Sequence, residues 1–345
     1  KNKLIYSIDL AAFVSHNSID LNDLKPDGIF ISTHKLTGGP GSCGLLFFNQ
    51  DVYASDLAPT NPSGGTVDLV AGYSTKDVIF SKEISARETP GTPGVLQFIR
   101  AALTFQLQSL VGVKTISDRE HKYSVKVFDV VNRLNSKWEE NGLKAKIHII
   151  GPQEPSNRLS TFSCIFYDYN GKVINFKLVH RVLSDFFGVQ VRSGCNCAGP
   201  FGVRVLDIPD EEIHEAKKEI SLGNFDKKSI YGWLRFNVHF SFTEEDLNYL
   251  LNSFSFIIEN KTIFEEKVYE FKDNDYYVRK DIPDFMLSNF GKSLHNFFDC
   301  FNLDLTKPVK TKSIKEENRN SFLVTNFELT RERIAKLAKM DDLYH

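Results

Sequence analysis

No apolar run in the sequence approaches the ~20 residues that a bilayer-crossing helix needs, so no membrane span is expected. An excess of one charge is missing too: 42 Lys and Arg stand against 44 Asp and Glu, a formal net charge of −2. Nucleic-acid binding through a broad basic face is therefore not expected. Cysteine is sparse, with five in 345 residues at positions 43, 164, 195, 197 and 300. An odd, scattered set in a chain long enough to bury a core does not read as a disulfide framework. It suits a reducing compartment, the cytoplasm or an organellar matrix. Cys164 and Cys300 read as small buried apolar residues. Cys195 and Cys197 have no second pair at ligand spacing, so no metal site is assigned. The first residue is Lys1, and the apolar stretch Leu4–Ile8 follows without a leader. This reads as a chain that begins inside a domain, with targeting left open.

What is present has the composition of a globular protein: 41% hydrophobic and 25% charged residues, in a length that suits two domains. Short apolar runs at 4–8, 28–32 and 43–48, bounded by turn residues, read as strands of a covered sheet. Residues 93–112 and 115–141 read as helices that stop at Gly112 and Gly142. Strands are expected at 144–150, 159–167, 189–191 and 233–240, with helices at 173–187, 208–221 and 243–258. Beyond these, 264–280 reads as strands, 305–320 as a flexible polar linker and 328–342 as a short helix. The fold class is α/β: part of a large domain with a mixed, mostly parallel sheet over 1–142, then a small α+β domain over 143–258. Residues 259–345 form a C-terminal extension.

Lys35 follows one of these strands and precedes a glycine-rich loop (Gly38, Gly39, Gly41, Gly44). Such a lysine reaches from a sheet edge into a crevice, the setting a Schiff-base amine requires. A solvated strand-end lysine is the alternative. Asp9 ends the preceding apolar run, and a parallel crossover would bring both to one sheet edge. A carboxylate there can protonate a pyridine nitrogen, or it can cap the segment Ala11-Ala12-Phe13-Val14.

The stretch from Asp9 through Ser32-Thr33-His34-Lys35 to Gly44 resembles the class V aminotransferase family of fold-type-I pyridoxal-phosphate (PLP) enzymes. The likeness continues through Ser63-Gly64-Gly65-Thr66 and Arg87-Glu88-Thr89-Pro90-Gly91-Thr92-Pro93. It implies that Lys35 carries the cofactor, that Asp9 holds the ring nitrogen and that Ser32 and His34 contact the phosphate. Thr92 would reach the phosphate of a neighbouring subunit, which implies a homodimer with shared active sites. Arg192-Ser193-Gly194-Cys195-Asn196-Cys197-Ala198-Gly199-Pro200 resembles the active loop of the cysteine desulfurase and selenocysteine lyase branch. Cys197 would there be the persulfide-forming nucleophile, and a nearby positive charge favours a thiolate in general. Arg235, in Trp233-Leu234-Arg235-Phe236, matches the arginine that holds the substrate carboxylate, and Arg192 joins it as a substrate-binding residue; a guanidinium fork suits that group. The alternative for Arg235 is an edge-strand ion pair.

The resemblance implies an amino-acid substrate and, for the desulfurase version, a sulfur-acceptor protein. The sequence departs from the pattern in three places. Residues 198–234 place an acidic helix between Cys197 and Arg235, Ala12 stands where many desulfurases have glutamine, and the family's N-terminal half is not in the sequence. Two rival readings stay open: another class V reaction (transamination, epimerisation or elimination) and a non-catalytic scaffold built on the fold.

Overall fold

The runs at 28–32 and 43–48 pair with each other in the computed structural model, which describes residues 4–73, 77–156, 158–195, 197–222, 232–272, 276–280 and 316–339. The chain divides into two units, Lys1–Arg119 and Glu120–His345. In the first, a three-stranded mixed sheet has the order β1 (Ser7–Asp9), β2 (Gly28–Ser32), β3 (Gly44–Phe48). β1 lies parallel to β2, and β3 antiparallel to it. The strand expected at 4–8 forms at Ser7–Asp9 instead. Leu4 and Ile5 lie outside it, 87% and 63% exposed, because no strand among the described residues pairs with them.

A hairpin of β4 (Val67–Val70) and β5 (Val78–Phe80) follows, without a counterpart in the sequence reading. Helix α1 (Val95–Val111) is mostly apolar, with Gln97, Arg100, Thr104, Gln106, Gln108 and Ser109 interspersed. Yet Leu96, Phe98, Ile99, Leu103 and Leu110 are exposed in this chain, and only Ala101 and Thr104 are buried. Phe30, Leu46 and Phe47 of the sheet are likewise about half exposed. The covered sheet expected from composition is thus covered only in part: Ile29 is buried, whereas Phe30, Leu46 and Phe47 are not. Helix α2 (Val113–Glu140) then runs on to Gly142, which adopts a left-handed φ.

The second unit holds the large core. Its antiparallel sheet has the order β6 (Lys146–Ile149), β7 (Thr161–Tyr167), β9 (Trp233–Asn237), β8 (Arg192–Gly194). Strict alternation along β7 buries Phe162, Cys164 and Phe166 on one face, as a period of two requires. That face packs on α3 (Phe176–Phe187) and α6 (Glu244–Glu259). Phe162 stacks on Phe236 at 5.2 Å and Phe254 meets Phe166 edge-on at 5.3 Å. Thr243 and Asp246 form a reciprocal capping box at the start of α6. Between β8 and β9 lie α4 (Gly199–Val205) and α5 (Asp210–Ser221).

Residues 264–280 include β10 (Tyr269–Lys272) and β11 (Tyr276–Arg279), paired as a hairpin. Residues 316–320, expected as linker, belong instead to a long helix α7 (Glu316–Lys339). Tertiary contacts explain the difference. Asn326 and Thr330 donate side-chain hydrogen bonds to the Phe186 carbonyl at 3.0 and 3.2 Å, and Tyr249 donates to the Phe187 carbonyl at 2.9 Å. These are end carbonyls of α3, which lack partners within their own helix. Phe327 packs on the rings of Phe187, Tyr249 and Phe256. A polar sequence is helical here because packing, not propensity, supplies most helix stability in proteins. The rest of the expected linker, 305–315, and Cys300 lie outside the described residues.

Two stability predictions follow from this packing. Phe327→Ala should lower unfolding stability by about 2–3 kcal/mol, read as a reduced urea midpoint. Glu244 accepts from Lys122 at 2.8 Å and also pairs with Lys126, and those hydrogen bonds pull its carboxyl from 4.5 down to about 2. Its contribution is therefore complete above pH 4.5 and disappears as pH falls through about 2. Because the pair is partly solvent-screened, Glu244→Gln should cost at most about 1 kcal/mol at neutral pH. The gap from the parent protein should close in acid titrations of the urea midpoint.

Candidate functional site

Parallel pairing sets Asp9 beside Phe30, with Ser32 two residues further along β2. Side chains alternate along a strand, so Asp9, Phe30 and Ser32 share one face of the sheet at the carboxyl ends of neighbouring strands. A single 3₁₀ turn, Thr33–Lys35, follows at once and brings out His34 and Lys35, both exposed. Asp9 Oδ1 accepts the Ala11 N–H at 2.9 Å, a local turn contact; the 3₁₀ turn Phe13–Ser15 that follows has Ala12 at its N-cap, so Asp9 does not cap it. Among the described residues no ion pair engages Lys35. Thr33 is buried beneath the turn, with Oγ1 2.7 Å from Ser42 Oγ and bonded to the Cys43 carbonyl. Gly39 closes the turn: a Cβ there would stand 2.0 Å from the Thr33 carbonyl oxygen. The glycine loop thus fixes the platform from which Lys35 projects.

Thr92 sits in an exposed turn just before α1. The preceding residues act as staples. Buried Arg87 donates to the carbonyls of Ser81 and Ser55 at 3.2 Å each and also to that of Leu57. Glu88 accepts from the Tyr53 hydroxyl at 2.5 Å and the Thr60 N–H at 3.2 Å. Burial alone would raise the Glu88 pKa; those hydrogen bonds outweigh it and lower it. The Gly91 N–H donates to the Gly64 carbonyl at 2.7 Å, which ties the Ser63–Thr66 turn to the residue before Thr92.

In the second unit Arg192 and Arg235 are register partners across β8 and β9. Burial, and then the charge of Arg192, push the Arg235 pKa down, while Cys197 opposes the shift. Arg192 Nη2 donates to Cys197 Sγ at 2.9 Å. Cys197 is exposed and left-handed at φ 61°, an uncommon conformation for a residue with a Cβ. Arg192, Arg235 and Cys197 therefore form one cluster. Lys35, Asp9 and Ser32 form the other, in the first unit. No group of three His, Cys, Asp or Glu suited to a metal occurs among the described residues.

The model of the aminotransferase class-V family matches residues 1–250. The chain belongs to that family. Curated relatives include a molybdenum cofactor sulfurase of Caenorhabditis briggsae, 28% identical over 60% of this chain and 29% of that protein. A probable cysteine desulfurase of Methanothermobacter thermautotrophicus is 24% identical over 57% of this chain and 44% of its own length. Among solved structures, a cysteine desulfurase from Thermococcus onnurineus NA1 overlays with a TM-score of 0.54 at 21% identity. The cysteine desulfurase CsdA from Escherichia coli gives 0.51 at 17% identity. Each overlay covers 74% of this chain and 52% of the other. The chain thus spans about half the length of these structures and less of the curated relatives. The fold is the mixed α/β fold of the cysteine desulfurases.

Within this class V chain, sequence reasoning missed His180. Its Nδ1 lies 3.1 Å from Ser193 Oγ, which ties α3 to the strand that carries Arg192. Burial, then the charge of Arg181, lower the His180 pKa. No motif announces this contact, since it depends on where α3 packs. Nor did the motif Arg87-Glu88 announce its stapling role.

Two substitutions test the geometry. Gly39→Ala should disrupt the turn beneath Lys35 and cost several kcal/mol, roughly 2 or more, read as a lowered melting temperature and faster proteolysis within 1–119. Arg235→Met should remove a like-charge cross-strand pair and raise stability by up to about 1 kcal/mol, with weaker retention of carboxylate ligands in calorimetry.

Proposed function

We propose that this chain contributes the cofactor-lysine and sulfur-handling parts of a PLP enzyme of the cysteine desulfurase type. In this reading cysteine and the Cys197 thiol are converted into alanine and a Cys197 persulfide, which balances without an outside oxidant. The observation that carries it is the parallel register of β1 and β2, with Asp9 and Ser32 on one face and Lys35 one turn beyond. A carboxylate, a hydroxyl, an imidazole and an amine gathered at one sheet end fit the needs of a phosphorylated pyridine ring. When bound, PLP supplies an electron sink for bond breaking at the amino-acid α-carbon.

Lys35 attaches the cofactor and moves protons. Asp9 keeps the ring nitrogen protonated, and Ser32, His34 and Thr92 donate to the phosphate, Thr92 across a homodimer. Arg235 binds the substrate carboxylate, with Arg192 beside it. The like-charged pair supports this assignment, because an anion between the two guanidiniums relieves their repulsion. Relatives named as cysteine desulfurases and as a molybdenum cofactor sulfurase support sulfur as the cargo, handed on to an acceptor protein.

The native protein provides the test. Borohydride should fix the cofactor to Lys35, and Lys35→Ala should abolish this adduct. Cys197→Ser should keep the visible absorbance and lose alanine release from cysteine by at least ~100-fold. Unchanged alanine release in Cys197→Ser would move the assignment to another class V reaction. Absence of any cofactor absorbance would favour a non-catalytic scaffold.

A further inference from the structure

The loop between β8 and α4 carries two thiols with one residue between them, and both Cys195 and Cys197 are exposed and free. The Ala198 N–H donates to the Cys195 carbonyl at 3.0 Å and closes a turn over the pair. Cys197 is held left-handed within that turn, and Gly194 precedes it at φ 98°. Residues two apart are separated by two Cα steps of ~3.8 Å, and a closed turn draws them toward the ~4.4–6.8 Å window of a disulfide. The environment differs from that of Cys164, which is fully enclosed and has its thiol pushed up to about 12 by burial. Cys164 is inert by position. The loop thiols meet solvent, and a guanidinium touches one of them.

We propose that Cys195 and Cys197 are a reversible dithiol–disulfide couple, with Cys195 as the resolving thiol. The oxidant class is a small-molecule disulfide such as oxidised glutathione. Deprotonated Cys197 sulfur attacks one sulfur of that disulfide, forms a mixed disulfide and releases one glutathione thiolate. Deprotonated Cys195 then attacks Cys197 Sγ, forms the 195–197 bond and releases the second glutathione. The protein loses two electrons and two protons, and the oxidant leaves as two glutathione molecules. Closure removes Cys197 as a nucleophile. That consequence for sulfur transfer rests on the function proposed above; the couple itself needs no cofactor.

The test uses the whole chain with Cys43→Ser and Cys300→Ser, exposed to oxidised glutathione without PLP. The expected product has lost two hydrogens, carries no glutathione, maps to a 195–197 link and resists alkylation until dithiothreitol is added. With Cys195→Ser added, a glutathione adduct should persist on Cys197. A persistent adduct in the protein that retains Cys195, a link to Cys164 or a link between chains would overturn the proposal. Circular dichroism of each variant separates these results from misfolding. Because every readout is a mass or a thiol count, failure of the PLP reading would leave this outcome unchanged, and the reverse also holds.

Discussion

The register between Ser7–Asp9 and Gly28–Phe30 is the constraint on which the candidate site of the first unit depends. Side chains alternate with a period of two, so a slip of one residue would send Asp9 to the opposite face from Ser32. Gly28 helps to fix the pairing: a Cβ at this position would come 2.8 Å from Ser7 Oγ. A side chain at position 28 would therefore have to displace the Ser7 hydroxyl. Downstream, Gly39 plays a related part by letting the chain fold tightly back over Thr33. Between these two glycines lie Ser32, His34 and Lys35, so the strand end and its turn are over-determined on both sides.

Strand β2 was legible in the sequence to the residue because Pro26-Asp27 precedes it and the 3₁₀ turn and glycine loop follow it. The stretch 4–8 misled because apolar composition reports suitability for burial, whereas a strand also needs a hydrogen-bonding partner. Among the described residues, only Ser7–Asp9 finds one. The β4–β5 hairpin was not visible: its strands have four and three residues and an irregular register, too few for a period to emerge. Helix α7 was legible in part: its second half falls in the helix expected at 328–342, whereas 316–320 read as linker. The polar sequence of its first turns resembles a linker, and contacts made further along, from Asn326, Phe327 and Thr330 on the end of α3 to buried Ile334, make it structural.

The candidate site was legible in unequal measure for similar reasons. Lys35, Asp9 and Ser32 lie on short sequence-local elements, so a motif captures their order and most of their geometry. The opposition of Arg192 and Arg235 was not visible, because it arises from the pairing of strands separated by two helices. The left-handed backbone of Cys197 also escaped notice, since Cys-Asn-Cys-Ala is not a strong turn signal. Local chemistry is written in local sequence; juxtaposition across a sheet is not.

The second unit sets its unfavourable features at the edge of its sheet. Its centre is β7 and β9, with Phe162, Phe166, Phe236 and Phe254 locked in ring contacts. Strand β8 is an edge strand of three residues, and it carries both the arginine that opposes Arg235 and the lead into the strained cysteine loop. Like charges across a strand pair and a left-handed cysteine each raise the free energy of the folded state. A rigid central strand tolerates them because it holds Arg235 still while the short edge adjusts. His180 on Ser193 then limits that adjustment by tying the middle of β8 to α3. The result is an arginine on a fixed strand facing an arginine and a thiol on a short one, an arrangement that gains stability when an anion lies between the guanidiniums.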